Sequence, residues 1–183
     1  MSEAIQEFDE ELTQFLYSEK YRNAMLQLEP EVKSAGGEFD KSILGQPLCL
    51  GITTTDGWKI KIFTISSPTG DDDYEYTIGT YHNNSKVLSL SDRFKVDAKK
   101  DEKAGKSPEE QFNTIKKVFG QKLALAKHRY VTVAAKIDHK PPPIFTKFVE
   151  THFFTVVSEL PNLKFGGGED PKQILISKLF SKL

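Results

Sequence analysis

Cysteine is nearly missing from this chain of 183 residues, with Cys49 standing alone. One thiol closes no internal disulfide, which excludes a disulfide-stapled scaffold and fits a reducing compartment, the cytoplasm or the nucleus. No apolar run approaches the roughly 20 residues that a membrane span requires. The first eight residues, Met1 to Phe8, lack the basic and apolar regions of a secretory leader. No membrane partner is expected.

The residues of familiar site chemistry are equally sparse. The four histidines, His82, His128, His139 and His152, show no i, i+4 or similar ligand spacing. The run Asp71, Asp72, Asp73 lacks the loop pattern of a calcium-binding hand. The glycines at 166–168 precede Glu169, Asp170 and Pro171 without the strand and the Lys-Ser/Thr pair of a phosphate-binding loop. There is no Gly-x-Ser-x-Gly elbow. Cys49 has no basic or histidine sequence neighbour to lower its pKa, so it reads as a core thiol. Neither metal nor cofactor is expected, and the balance leans away from an enzyme.

What is present is an ordinary soluble composition, 38% hydrophobic and 28% charged, long enough for one domain with a real core. The net charge of −1 conceals a strong asymmetry. Residues 1–40 carry ten acidic side chains against three basic ones, and residues 116–147 carry eight basic against one acidic. Such polarity marks either a charged partner or two regions of one molecule that pack together.

Sustained strand character is confined to 47–90. Leu48, Leu50 and Ile52 alternate with Cys49, Gly51 and Thr53, as in a strand with one face on a core. Asp56-Gly57 then predicts a hairpin with a type I′ turn, in which both central residues take positive φ. The return strand, 58–65, places Trp58, Ile60 and Ile62 on one side and Lys59 and Lys61 on the other. Third and fourth strands are predicted at 74–81 and 86–90, joined by the turn 82–85. Beyond them, 91–107 reads as a solvated mobile loop, with prolongation of the fourth strand through Phe94 and Val96 as the alternative. The β-branched run at 128–137 predicts a fifth strand.

Helices flank this meander. Ile5, Phe8, Leu12, Phe15 and Leu16 form a stripe that Met25, Leu26 and Leu28 extend up to Glu29-Pro30, with a flexible joint at 34–37. Ser107-Pro108-Glu109-Glu110 is a capping signal for a helix carrying Phe112, Ile115, Phe119, Leu123 and Ala126. Gly120 inside it marks close packing or a break. After a rigid linker through Pro141, Pro142 and Pro143, a strongly apolar helix is predicted at 144–160, and a short final one after Asp170-Pro171. The fold class is α+β: an antiparallel sheet of about five strands with N-terminal and C-terminal helices packed on it.

These features rank functions without naming a substrate. First comes a cytosolic, non-enzymatic module that binds a protein partner. Second is nucleic-acid or polyanion binding through Lys116, Lys117, Lys122, Lys127, Arg129 and Lys136, where basic side chains cluster in sequence near Tyr130. Third is a small enzyme or ligand binder with a pocket between the sheet and helix 144–160, for which Tyr74, Tyr76, His82 and His152 are the candidate converging groups.

Overall fold

The computed structural model describes residues 3–40, 49–66, 73–95 and 105–166. Five antiparallel strands pair in chain order, each with the next. They are β1 (Gly37–Phe39), β2 (Cys49–Thr54), β3 (Trp58–Ser66), β4 (Asp73–His82) and β5 (Ser85–Lys95). The expected meander is β2 to β5. Leu50, Ile52, Thr54, Trp58, Ile60, Ile62, Tyr76, Ile78, Thr80 and Leu88 form its buried face, as the period of two requires. On the opposite face Lys61 reaches over the half-buried Phe63, its Nζ 6.0 Å from the ring centroid.

Two hairpin loops differ from each other in a way that their residues explain. At 55–57 only Gly57 has positive φ (+91°), so the loop is not type I′ as expected. It is a three-residue connection in which the Gly57 N–H donates to the Thr54 carbonyl at 3.2 Å and glycine takes the left-handed position. The positive-φ pair sits instead at Asn83 (48°) and Asn84 (67°), between paired His82 and Ser85. Asparagine tolerates that region better than most side chains do.

The fifth strand is not 128–137. Residues 128–136 are helical, and the sheet is completed by β1, which pairs with β2 from Gly37↔Thr54 to Phe39↔Ile52. The joint expected at 34–37 is therefore a helix end that turns at Gly36 (φ 74°) straight into a strand. The loop expected from residue 91 is not seen at 91–95, where β5 runs on to Lys95 as the alternative reading had it; residues 96–104 lie outside the described residues.

The N-terminal stripe folds as three helices rather than one: α1 (Glu3–Tyr17), α2 (Glu19–Leu26) and α3 (Glu29–Ser34). Ser18 makes the first break. Its Oγ donates to the Phe15 carbonyl at 2.6 Å and accepts from the Tyr21 N–H at 3.3 Å, capping α2. Pro30 does not end a helix but lies in the first turn of α3, where its missing N–H costs nothing.

Next comes α4 (Pro108–Lys136), 29 residues and about 43 Å at 1.5 Å per residue. Ser107 caps it by accepting the Glu110 N–H at 3.2 Å. The apolar stripe does not stop at Ala126 but continues with buried Tyr130 and Ala134 at helical spacing. α5 (Pro143–Glu159) follows the proline linker and ends in a 3-10 turn, Leu160–Asn162. The last helix expected, after Asp170-Pro171, lies outside the described residues.

Aromatic rings from α1, α2, β1, β3, β4, α4 and α5 run through the core among its aliphatic side chains. Phe119 of α4 meets Tyr76 of β4 at 5.9 Å and Phe8 of α1 at 5.2 Å, so α4 lies between sheet and α1. Phe39 and Trp58 pack on Phe148 and Phe145 of α5. No helix among the described residues is long and apolar enough to cross a membrane.

Candidate functional site

The sequence-based ligand residues separate in space. Tyr74 lies in β4 opposite Phe94, and its side chain lies outside the described residues. Tyr76 and His152 do meet, in the core, but they are joined there by Tyr21 of α2. The Tyr21 hydroxyl is 2.7 Å from Nδ1 of His152, and the Tyr76 hydroxyl hydrogen-bonds Nε2. A neutral imidazole has one N–H and one lone pair, so one tyrosine accepts while the other donates.

His152 is buried, and desolvation pushes its pKa from the usual 6.5 down to about 3. Burial first, then the neighbouring Tyr76, raises Tyr21 well above the usual phenol value. Both histidine nitrogens are engaged and the ring is neutral at physiological pH. It has no free nitrogen for a substrate or metal, and its role is to tie α2, α5 and β4 together.

His82 is elsewhere, at the last position of β4. It pairs across the ladder with Trp58, and the two ring centroids are 4.7 Å apart. His139, which no local sequence signal places nearby, stacks on the same indole from the linker between α4 and α5.

The basic residues of α4 do not form one patch. Lys122, Arg129 and Lys136 recur at i, i+7 and i+14 and share one flank over about 21 Å. Lys116 is on another flank, where its Nζ donates to the Leu163 carbonyl at 2.8 Å and lies over the Phe112 ring. Lys127 shares that flank, and Lys117 is exposed beside it. Further along, Lys147 pairs with Glu31 at 2.5 Å. Acidic and basic regions therefore meet within the molecule, through this pair and through the packing of α1 on α4 by Phe8 and Phe112.

The feature that sequence reasoning missed is a groove of about 530 Å³ between α4 and the end of α5. Asn113, Lys117, Gly120 and Ala124 line one side, with Val157 and Pro161 opposite. Within it Gly120 lets Leu160 pack closely on α4: a Cβ at Gly120 would lie 3.2 Å from Leu160 Cδ1. Val157 is 39% exposed, and Phe154, one turn before it on α5, is 74% exposed. Both belong to the helix whose broad apolar stripe reads as core. Only their neighbours show that α5 has a second apolar edge facing water.

No known protein-family model matches this chain, and neither does any curated protein or solved structure.

Proposed function

We propose that this chain is a non-enzymatic protein-interaction module of the cytoplasm that receives an amphipathic helix of a partner protein in the α4/α5 groove. The observation that carries the reading is the exposed Val157, which lines the groove with Gly120 and Ala124, together with the exposed Phe154 one turn before it on α5. Isolated exposed apolar residues are common, but a contiguous strip along a groove is the usual form of a docking surface. The small residues of α4 let a partner backbone approach closely. From Asn113 to Ala124 the groove runs about 16 Å, three turns of helix, which suits apolar anchors at i, i+3 or i+4, and i+7. Lys117 on the rim favours acidic residues along one edge of that helix. The lone cysteine supports a reducing compartment.

A photo-crosslinking side chain at Val157 in cells, followed by identification of the crosslinked peptide, tests the proposal. The expected product is one amphipathic, acid-flanked segment of a defined protein. Its synthetic peptide binds the wild-type chain and loses at least about tenfold in affinity to Phe154→Ser or Val157→Asp, the cost of one desolvated anchor. Crosslinking to nucleic acid, with affinity lost steeply as salt rises and on Lys122→Ala/Arg129→Ala, gives the polyanion reading instead. A peptide whose affinity ignores both groove substitutions overturns the proposal.

A further inference from the structure

Trp58, His82 and His139 form a triangle in which every pair of ring centroids is 4.7 Å apart. His139 stacks on the indole at 29°, while His82 and His139 stand at 75° to each other. The indole is 6% exposed and backed by Phe145 of α5. The two imidazoles are the accessible members, His139 exposed and His82 half-buried. Neither imidazole makes a side-chain hydrogen bond to another described residue, in contrast to His152. They come from separate elements, the end of β4 and the α4–α5 linker, so their meeting is a product of the tertiary fold.

We propose that His82 and His139 form a two-histidine site for a divalent transition-metal ion of nitrogen preference, Cu²⁺ before Ni²⁺ or Zn²⁺. At metal–nitrogen distances of about 2.0–2.1 Å the ring centroid stands about 3.2 Å from the ion, so two imidazoles at angles of about 90–110° have centroids about 4.5–5.2 Å apart. The observed separation falls in that range. Imidazole suits these metals, and among them affinity rises to Cu²⁺. No group of three or more His, Cys, Asp or Glu converges among the described residues, so water completes the coordination and the ion exchanges readily. Bound there, it joins the end of β4 to the α4–α5 linker.

Trp58 is the single tryptophan of the chain, so its fluorescence reads this site alone. Titration of the full-length protein with CuCl₂ is expected to quench it saturably, with a midpoint below about 100 μM, and EDTA to restore it. His139→Gln and His82→Asn each weaken binding at least about tenfold, because one imidazole cannot chelate. His128→Gln, outside the cluster, leaves the midpoint unchanged. Electron paramagnetic resonance of the Cu²⁺ complex is expected to show two imidazole nitrogens, a readout that does not depend on a variant folding. Unsaturable quenching, quenching retained by both cluster variants, or a spectrum with one imidazole overturns the proposal.

Discussion

The Tyr21 hydroxyl and Nδ1 of His152 lie 2.7 Å apart although 131 positions separate the two residues in the chain. Tyr76 hydrogen-bonds the other ring nitrogen. The core is thus fastened at its centre by a short polar chain, in surroundings that are otherwise aromatic and aliphatic.

Acid stability follows from that fastening. His152 is held neutral, its pKa lowered to about 3 against 6.5 in the unfolded chain. Below pH 6.5 the unfolded state takes up a proton that the folded state refuses. This contribution is complete above pH 6.5 and is lost as pH falls towards 3, by about 1.4 kcal/mol per pH unit. Between pH 7.5 and 5 the loss from this group is about 2 kcal/mol. Urea unfolding at both pH values checks it, with His152→Gln as the comparison. The variant is expected to show a shallower dependence, and equal slopes would falsify the assignment.

The two tyrosines are coupled through the one ring. Tyr21→Phe leaves a buried histidine nitrogen without its partner and is expected to cost about 1–3 kcal/mol. Tyr17→Phe, at a position 54% exposed, is expected to change stability by less than about 0.5 kcal/mol. Because one tyrosine donates and the other accepts, Tyr21→Phe and Tyr76→Phe are expected to be non-additive in chemical denaturation. Strict additivity would mean that the chain does not act as a unit.

At Gly120, helix propensity and the packing of Leu160 oppose each other. Alanine there gains about 1 kcal/mol of helix propensity, but its Cβ meets Leu160 Cδ1 at 3.2 Å. Gly120→Ala is therefore expected to stabilise the wild-type background by less than that amount. In a Leu160→Ala background the full gain is expected, since the obstructing methyl is gone. Thermal denaturation of the four proteins of this cycle decides it: the same gain in both backgrounds contradicts the contact.

The elements legible in the sequence are those whose signal is local. Alternation from Leu48 to Ile62 gives the strands, and Ser107-Pro108 gives the start of α4. Pro30 misleads because proline ends one helix and begins another with equal ease. β1 escapes notice because three residues, Gly37 to Phe39, are too few for a period. The sites depend on convergence: nothing local joins His152 to Tyr21, or His139 to His82. The groove depends on what fails to cover Phe154, which no stripe on α5 by itself reveals.

The segment 128–137 is the plainest case of tertiary contact overriding propensity, and it is testable at alkaline pH. Its valines and threonine favour a strand weakly, yet Tyr130 continues the stripe of Leu123 and Ala126 and is buried as helix. Its hydroxyl meets Thr80 Oγ1 of β4 at 3.0 Å. Burial pushes the phenol from 10 up to about 12, and the Thr80 hydrogen bond opposes that rise. The unfolded chain ionises first, so this contribution is complete below pH 10 and is lost as pH rises to 12, by about 1.4 kcal/mol per pH unit. Thr80→Val removes the partner hydroxyl. It is expected to destabilise by about 1–3 kcal/mol and to move phenolate formation at Tyr130, followed by ultraviolet absorbance, to still higher pH. If that titration instead moved down or stayed in place, the helix would not be fixed to β4 through this pair.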